Sequence, residues 1–97
     1  MKFKDLDPVF LNQLRLQILT LVLANKEVDF SFLVEATGAT GGNVSTQMKI
    51  CEDAGYLVMT KTFKNNRPNT SLKMTSKGIK AYDTYVAVLK SYFEMKK

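Results

Sequence analysis

The residues best suited to bind another molecule lie between Thr40 and Asp53, where small polar side chains recur along a predicted helix. At about 100° per residue, one arc of this helix collects Gly42, Asn43, Thr46, Lys49, Ile50 and Asp53, with Ser45 and Gln47 at its borders. Asn and Gln amides can form two hydrogen bonds with adenine, a Thr methyl can touch thymine, and Lys or Ser can hold phosphate. Because its first two turns carry no acidic residue, we expect this face to enter a DNA groove. An ordinary solvated face would look similar but would usually contain more glutamate.

The opposite side of the same helix is apolar, with Val44, Met48 and Cys51 at steps of four and three. We interpret Cys51 as a small buried hydrophobe, because the sequence has no histidine to activate a nucleophile. A single cysteine without histidine also argues against zinc, so no metal or other cofactor is expected. The only paired carboxylates are the adjacent Glu52 and Asp53, which we expect to face solvent. Because the sequence offers no other acid–base pair and no activated nucleophile, an enzyme is the least favoured class of function.

Positive charge is concentrated in one third of the chain. Seven basic residues lie between positions 49 and 80, namely Lys49, Lys61, Lys64, Arg67, Lys73, Lys77 and Lys80. Only Glu52 and Asp53 are acidic there, so this segment accounts for the whole net charge of +5. A polyanion would be attracted to such a segment, because phosphate contacts release condensed counterions. The alternative is lysine that serves only solubility.

The first half of the chain reads as three helices and a short strand. A stripe of Leu and Ile predicts helix 1 from about Pro8 to Ala24, and residues 28–30 alternate as a strand would. Ser31 is a plausible cap for a helix over residues 32–37 that ends at Gly38. Thr40 can cap the helix described above. The glycine pair at 41–42 is either simple turn chemistry or a place of close approach to DNA.

A hairpin and a long helix follow. Residues 56–64 and 70–74 are predicted strands joined by a polar tip at 65–69 that contains Arg67. Arg67 and the lysines on the arms are expected to lie along the DNA backbone or in the minor groove; the alternative is that they protect an exposed sheet edge from aggregation. The last helix, from Thr75 or Ser76 to about Met95, has an apolar stripe wider than one small domain needs. We expect it to form a homodimer, with intramolecular core as the alternative.

Length and composition agree with one compact domain over residues 1–97. No run of 18 apolar residues exists for a membrane span, and the start lacks a secretory signal, so no membrane partner and a cytoplasmic location are expected.

Six segments, in this order, resemble the winged-helix DNA-binding domains related to the MarR and ArsR regulators. They are Leu14–Leu19, Val28–Leu33, Gly42–Met48, Glu52–Leu57, Arg67–Thr70 and Leu72–Gly78, the last containing the element Met74-Thr75-Ser76-Lys77-Gly78. The resemblance covers nearly the whole chain. It implies an α+β, mostly helical fold: a helix-turn-helix at about 31–54, a β-hairpin wing at about 56–74 and a C-terminal dimerisation helix at about 76–95.

The resemblance also implies a homodimeric transcriptional regulator that binds double-stranded DNA sequence-specifically. The predicted helix that Thr40 caps, the third in the chain, would lie in the major groove, and the wing would lie on the flanking backbone or minor groove. Ser45 would hold phosphate, while Thr46 and Gln47 would read bases in place of the basic or histidine residues that the family often has there. Cys51 replaces a usual leucine. The metal-sensing clusters of some relatives are absent, and no small-molecule effector is identified.

The expected contacts with DNA are made by Thr40, Gly42, Asn43, Ser45, Thr46, Gln47, Lys49, Lys61, Lys64, Arg67 and Lys73. The expected dimer interface comprises Leu11, Tyr82, Tyr85, Val86, Leu89, Tyr92 and Phe93. The competing hypothesis is a winged-helix protein-interaction module that binds an acidic protein.

Overall fold

The computed structural model describes residues 2–95, so the predicted domain limits at residues 1 and 97 lie outside it. After a 3-10 turn at Pro8–Phe10, the elements are α1 (Gln13–Asn25), β1 (Glu27–Asp29), α2 (Phe30–Thr37), α3 (Gly41–Asp53), β2 (Leu57–Lys64), β3 (Arg67–Met74) and α4 (Ser76–Glu94). The strands form one antiparallel sheet in the order β1-β3-β2. The predicted α+β, mostly helical winged-helix architecture with a long C-terminal helix is confirmed. No helix among residues 2–95 is long and apolar enough to cross a bilayer.

The start predicted for helix 1 was wrong. Two acceptor side chains divide the segment: Asp7 accepts from the N–H of Val9 at 3.0 Å, and Asn12 accepts from the N–H of Arg15 at 2.9 Å. Each side chain caps a separate helical start, so the chain makes a 3-10 turn and begins α1 only at Gln13. The break leaves Phe10 buried and Leu11 59% exposed.

The helix-turn-helix follows its predicted turn chemistry, except at its first residue. Helix α2 begins at Phe30, and Ser31 lies inside it rather than capping it. The exit was predicted correctly, since Gly38 takes the left-handed conformation at φ 73° and its N–H bonds to Val34. The hydroxyl of Thr40 then accepts from the N–H of Asn43 at 3.2 Å, so Thr40 caps α3 as predicted.

The hairpin turn is shorter than the sequence suggested. Only Asn65 and Asn66 connect the strands, both with positive φ, so Arg67 and Pro68 belong to β3 rather than to a loop. Asparagine tolerates this conformation, which is the one that two-residue hairpins require. Proline fits into β3 because β1 pairs only with residues 71–73, leaving β3 a single neighbour at Pro68.

A tight junction connects the wing to α4. The hydroxyl of Thr75 accepts from the N–H of Gly78 at 2.9 Å, which caps α4, and donates to the carbonyl of Gly55 at 2.6 Å. A Cβ at Gly78 would lie 2.4 Å from the carbonyl oxygen of Tyr56. Only glycine permits this approach, so the motif at residues 74–78 fixes where α4 leaves the domain.

The core lies between α1, α3 and one face of the sheet. Its fully buried side chains include Ile18, Leu19, Val22, Leu33, Val44, Cys51, Leu57 and Leu72. The apolar sides predicted for α1 and α3 are therefore confirmed as core. The polar side of α3 remains on the surface.

Candidate nucleic-acid interface

The N-terminal half of α3 presents an exposed polar surface without carboxylates. Thr40, Gly42, Asn43, Ser45 and Thr46 are all exposed, and the first turn has no acidic residue. A Cβ at Gly42 would meet nothing within 4 Å, so the helix start is open to an incoming surface. The free N–H groups and the dipole at a helix N-terminus favour negatively charged groups such as phosphate.

Gln47 is held by an arginine that the sequence reasoning did not assign to the site. Nη1 of Arg15 donates to Oε1 of Gln47 at 2.7 Å. The same guanidinium donates from Nε to the carbonyl of Val9 at 2.8 Å and from Nη2 to that of Pro8 at 3.3 Å. The amide of Gln47 is thereby fixed in orientation, with its Nε2 donating toward Oδ1 of Asn43 at 3.4 Å.

Lys49 is paired within its own helix. Its Nζ lies 3.1 Å from Oδ1 of Asp53 and 3.3 Å from Oε1 of Glu52. The hydrogen bond to Asp53, followed by that to Glu52, raises the pKa of Lys49 above its ordinary value. Asp53 is exposed as expected, Glu52 is half-buried, and together they neutralise the one lysine of α3.

The strand register divides the basic residues of the wing between two faces. Leu57 and Leu72 are buried, so their face of the sheet is the core side; in the alternating pleat it continues outward through Lys61 and Phe63 on β2. Lys64, Arg67 and Lys73 occupy the opposite face, together with Glu27 and Asp29 of β1. Arg67 and the lysines on the arms, all expected along the DNA backbone or in the minor groove, therefore do not share one face, because successive side chains of a strand point to opposite sides.

Acidic residues of β1 bind two cations of this second face. Nζ of Lys64 lies 3.1 Å from Oδ2 of Asp29, and Nζ of Lys73 lies 3.9 Å from Oε1 of Glu27. Oδ1 of Asp29 also accepts from Asn69 at 3.1 Å. The hydrogen bond from Asn69, followed by that from Lys64, holds the pKa of Asp29 below its usual value. Among residues 2–95, Lys61 and Arg67 form no ion pair within 4.0 Å.

A shallow cavity of about 300 Å³ lies between the start of α2 and the wing. It is lined by Phe30, Ser31, Lys61, Pro68, Asn69 and Thr70. The ring of Phe30 also lies 3.5 Å from the Cβ position of Gly41, at the start of α3. Phe30 therefore lies between the Lys61 face of the wing and the start of α3.

The residues expected at a dimer interface differ in their surroundings. Leu11, Val86 and Phe93 are exposed at 59%, 46% and 64%. Tyr85 was predicted at the dimer interface, and this was wrong. It is buried in the protomer core, where its ring stacks on Phe10 with centroids 4.8 Å apart. The break before α1 turns Phe10 inward, so Tyr85 is not available to a second chain.

Two other tyrosines of α4 contact α1 and the N-terminal residues of the same chain. The hydroxyl of Tyr82 is 2.8 Å from that of Thr20, and the hydroxyl of Tyr92 donates to the carbonyl of Lys4 at 2.6 Å. The ring of Tyr92 also lies 4.8 Å from that of Phe3. Leu89 packs against the core and is half-buried.

Sequence reasoning missed three features of this surface. Arg15 and Asp29 act on residues 32 and 35 positions away, and no local pattern reports such contacts. Phe63, in contrast, had a readable signal, since it continues the alternation of Leu57, Met59 and Lys61 along β2. Within the described part of the chain, no three His, Cys, Asp or Glu side chains group as a metal site.

A family model described as a winged helix DNA-binding domain matches residues 14–93, from α1 almost to the end of α4. The chain belongs to this family. The winged-helix chain is also 30% identical over 78 residues to an uncharacterized protein of Methanocaldococcus jannaschii, which covers 80% of this chain and 85% of the relative.

Solved structures share the winged-helix fold. The transcriptional regulator homologue from Pyrococcus horikoshii OT3 has a TM-score of 0.83 at 23% identity, covering 91% of this chain and 87% of that one. NadR in complex with 4-hydroxyphenylacetate has a TM-score of 0.71 at 20% identity, covering 91% of this chain and 64% of NadR. An ArsR family transcriptional regulator, RHA00566, has a TM-score of 0.60 at 11% identity, covering 93% of this chain and 88% of that one.

Proposed function

We propose that this winged-helix chain is a homodimeric transcriptional regulator that binds double-stranded DNA, with α3 in the major groove and the wing on the flanking backbone or minor groove. The observation that carries the proposal is the exposed, carboxylate-free start of α3, which Phe30 connects to the cavity beside Lys61 of the wing. An α-helix fits the width of the major groove, and a cation beside it can contact the backbone.

The structure leads us to divide the contacts by chemistry. Asn43, Thr46 and Gln47 are assigned to bases, since they lie on the exposed or half-exposed side of α3. Thr40, Gly42 and Ser45 at the helix start are assigned to phosphate. Lys61 and Arg67 are assigned to the backbone or minor groove, because neither is neutralised by a described carboxylate. Lys49, Lys64 and Lys73 contribute less, since each already has an acidic partner.

Homodimerisation rests on apolar surface that the protomer leaves uncovered. Val86 and Phe93 on α4 and Leu11 before α1 are large exposed hydrophobic residues. A helix of 19 residues is about 28 Å long at 1.5 Å per residue, which gives α4 room to pack against its copy. Two copies are also needed to contact half-sites one helical turn apart, about 34–36 Å.

Binding to DNA is tested by fluorescence anisotropy with a duplex selected from a random pool, at several salt concentrations. We expect the logarithm of the association constant to fall linearly with the logarithm of salt, by about 0.9 per phosphate neutralised. An unrelated duplex should bind more weakly at the same salt concentration. Absence of binding to any duplex at low salt, with capture of an acidic protein instead, would support the protein-interaction module.

Dimerisation is tested by sedimentation of the wild type and of Val86→Glu, with Val58→Glu on the wing as the matched control. Val86 and Val58 are similarly exposed, at 46% and 50%. A charge in an apolar interface costs far more than one on a solvated surface. We expect Val86→Glu to sediment as a monomer and Val58→Glu as a dimer; a monomeric wild type at concentrations that bind DNA would refute the dimer.

A further inference from the structure

Phe63 is the most exposed large hydrophobic side chain that the structure describes, at 78%. It lies on β2 next to the last residue before the hairpin turn, far along a two-stranded arm. A ring in this position adds little to the stability of the fold, because its apolar surface stays in water. The residues around Phe63 therefore indicate which partner could bind its exposed ring.

The register places Pro68 directly opposite Phe63, and Pro68 is exposed as well. Both residues lie on the face of the wing that carries Lys61 and that borders the cavity next to α2. This face is also the core side of the sheet, against which α3 packs. The ring and the proline together form an apolar edge beside the surface that we assign to DNA.

The charges around this edge favour one class of partner. Lys61 lies two residues before Phe63 on the same face, and Arg67 is adjacent to Pro68 but points to the opposite face. Neither cation has a carboxylate partner within 4.0 Å among residues 2–95. If a second copy of the wing packed here, Lys61 and Arg67 of the two copies would lie close together, and like-charge repulsion opposes this arrangement. A polyanion with apolar surface between its charges fits better, and a nucleic-acid groove has phosphates on both sides of stacked bases.

We propose that Phe63, supported by Pro68, is an apolar wedge that enters the minor groove beside the α3 site and unstacks one base step. The inference rests on the proposed binding of duplex DNA and adds a further contact to it. Phe and Pro are among the side chains with which minor-groove proteins separate base steps and kink the duplex. Lys61 on the face of the ring and Arg67 on the opposite face contact the phosphates on the two sides of the groove while the ring is inserted. The preferred steps are pyrimidine–purine, which unstack most easily.

The test compares Phe63→Ala with Val58→Ala, a matched control on the opposite face of the same strand. The selected duplex carries 2-aminopurine at successive positions that flank the α3 site, and fluorophores at its two ends report bending. We expect wild type to raise 2-aminopurine fluorescence at one flanking step and to shorten the end-to-end distance. Phe63→Ala should lose both signals and bind about tenfold more weakly, within the range measured for aromatic–base contacts. Val58→Ala should behave as wild type.

Thermal unfolding should be unchanged in Phe63→Ala, since the ring is 78% exposed, so loss of folding cannot mimic the result. If the wild type binds duplex DNA but Phe63→Ala gives the same affinity, fluorescence and bend, the wedge is refuted and the proposed function stands. If Phe63→Ala alters sedimentation but not DNA binding, the ring contacts a second copy and the wedge is refuted. If the wild type binds no duplex, the proposed function itself fails.

Discussion

The guanidinium of Arg15 on α1 is hydrogen-bonded to the side-chain oxygen of Gln47 on α3, with Nη1 and Oε1 2.7 Å apart. Two further bonds tie the same guanidinium to the carbonyls of Pro8 and Val9. A side chain assigned to base reading is thus connected to the segment that precedes α1. We therefore expect Arg15 to be a positioning residue, which would act on the proposed DNA contact through Gln47.

Replacing Arg15 by methionine, which keeps an unbranched stem, is expected to lower both stability and sequence discrimination. Hydrogen bonds to a charged group contribute about 1.5–3 kcal/mol, so urea denaturation should show a loss of that order. Affinity for the selected duplex should fall more than affinity for an unrelated one, because a loosened Gln47 still leaves the wing free to bind phosphate. Gln47→Ala alone should cost roughly 1–3 kcal/mol on the selected duplex. If the double variant shows purely additive losses in DNA binding, Arg15 does not act through Gln47.

Lys61 and Lys64 differ by three positions on one strand and should differ in their effect on salt dependence. Lys61 is unpaired within the described residues, whereas Lys64 is bound to Asp29. Lys61→Ala should reduce the slope of log affinity against log salt by about 0.9, the value for one phosphate contact. Lys64→Ala should leave the slope nearly unchanged. Equal changes of slope in the two variants would contradict the assignment of Lys61, and not Lys64, to a phosphate contact.

Asp29→Asn separates a positioning role from a purely electrostatic one. The change removes one negative charge and so raises the net charge of the protein by one, which by electrostatics alone would strengthen DNA binding. We expect weaker binding, because Asp29 holds Lys64 and Asn69 and with them the orientation of the wing. Stronger binding at every salt concentration would rule out the positioning role.

The pH dependence of stability gives an independent check on Asp29. Its pKa is lowered in the folded chain, first by Asn69 and then by Lys64. The stabilisation is therefore present above the ordinary value of 3.8 and is lost as the pH falls through the lower folded value. The difference in melting temperature between wild type and Asp29→Asn should shrink as the pH is reduced below 3.8. A difference that persists unchanged under acid conditions would contradict this assignment.

Cys51 should be unreactive in the folded protein. Burial raises the pKa of its thiol from 9.0 to about 11, so almost no thiolate exists at pH 8. Iodoacetamide should label Cys51 only as fast as the protein opens, and urea should accelerate labelling in step with unfolding. Rapid labelling of the native protein at pH 8 would show that α3 is not packed as described.

The sequence was most informative where structure depends on neighbouring residues. Thr40 and Gly38 define the turn before α3 through contacts within four residues, and these positions were predicted correctly. Helix 1 was predicted to start too early because Asn12, a second cap, was read as an ordinary helix residue. The hairpin tip was drawn too long because Pro68 was read as a loop residue, although a strand with one neighbour accepts it.

The candidate site was harder to predict because its side chains are paired across the fold. Lys49 and Asp53 are four residues apart, a spacing from which an ion pair on a helix can be predicted. Lys49 was nevertheless assigned to DNA from the sequence, without considering that Asp53 neutralises its charge. The pairing of Lys64 with Asp29 required knowledge of which strands are neighbours. Charge counted along the chain therefore overstated the cationic surface.

The alternation along β2 also limits how this arm can change length. One residue inserted between Leu57 and Lys61 would turn every later side chain of β2 over, sending Lys61 and Phe63 to the side of Asp29 and bringing Lys64 to the side of α3. A second inserted residue would restore the original arrangement. Relatives that keep this function should therefore tolerate insertions of two residues between the positions of Leu57 and Lys61. Insertions of one residue should not be tolerated unless a β-bulge accommodates the extra residue.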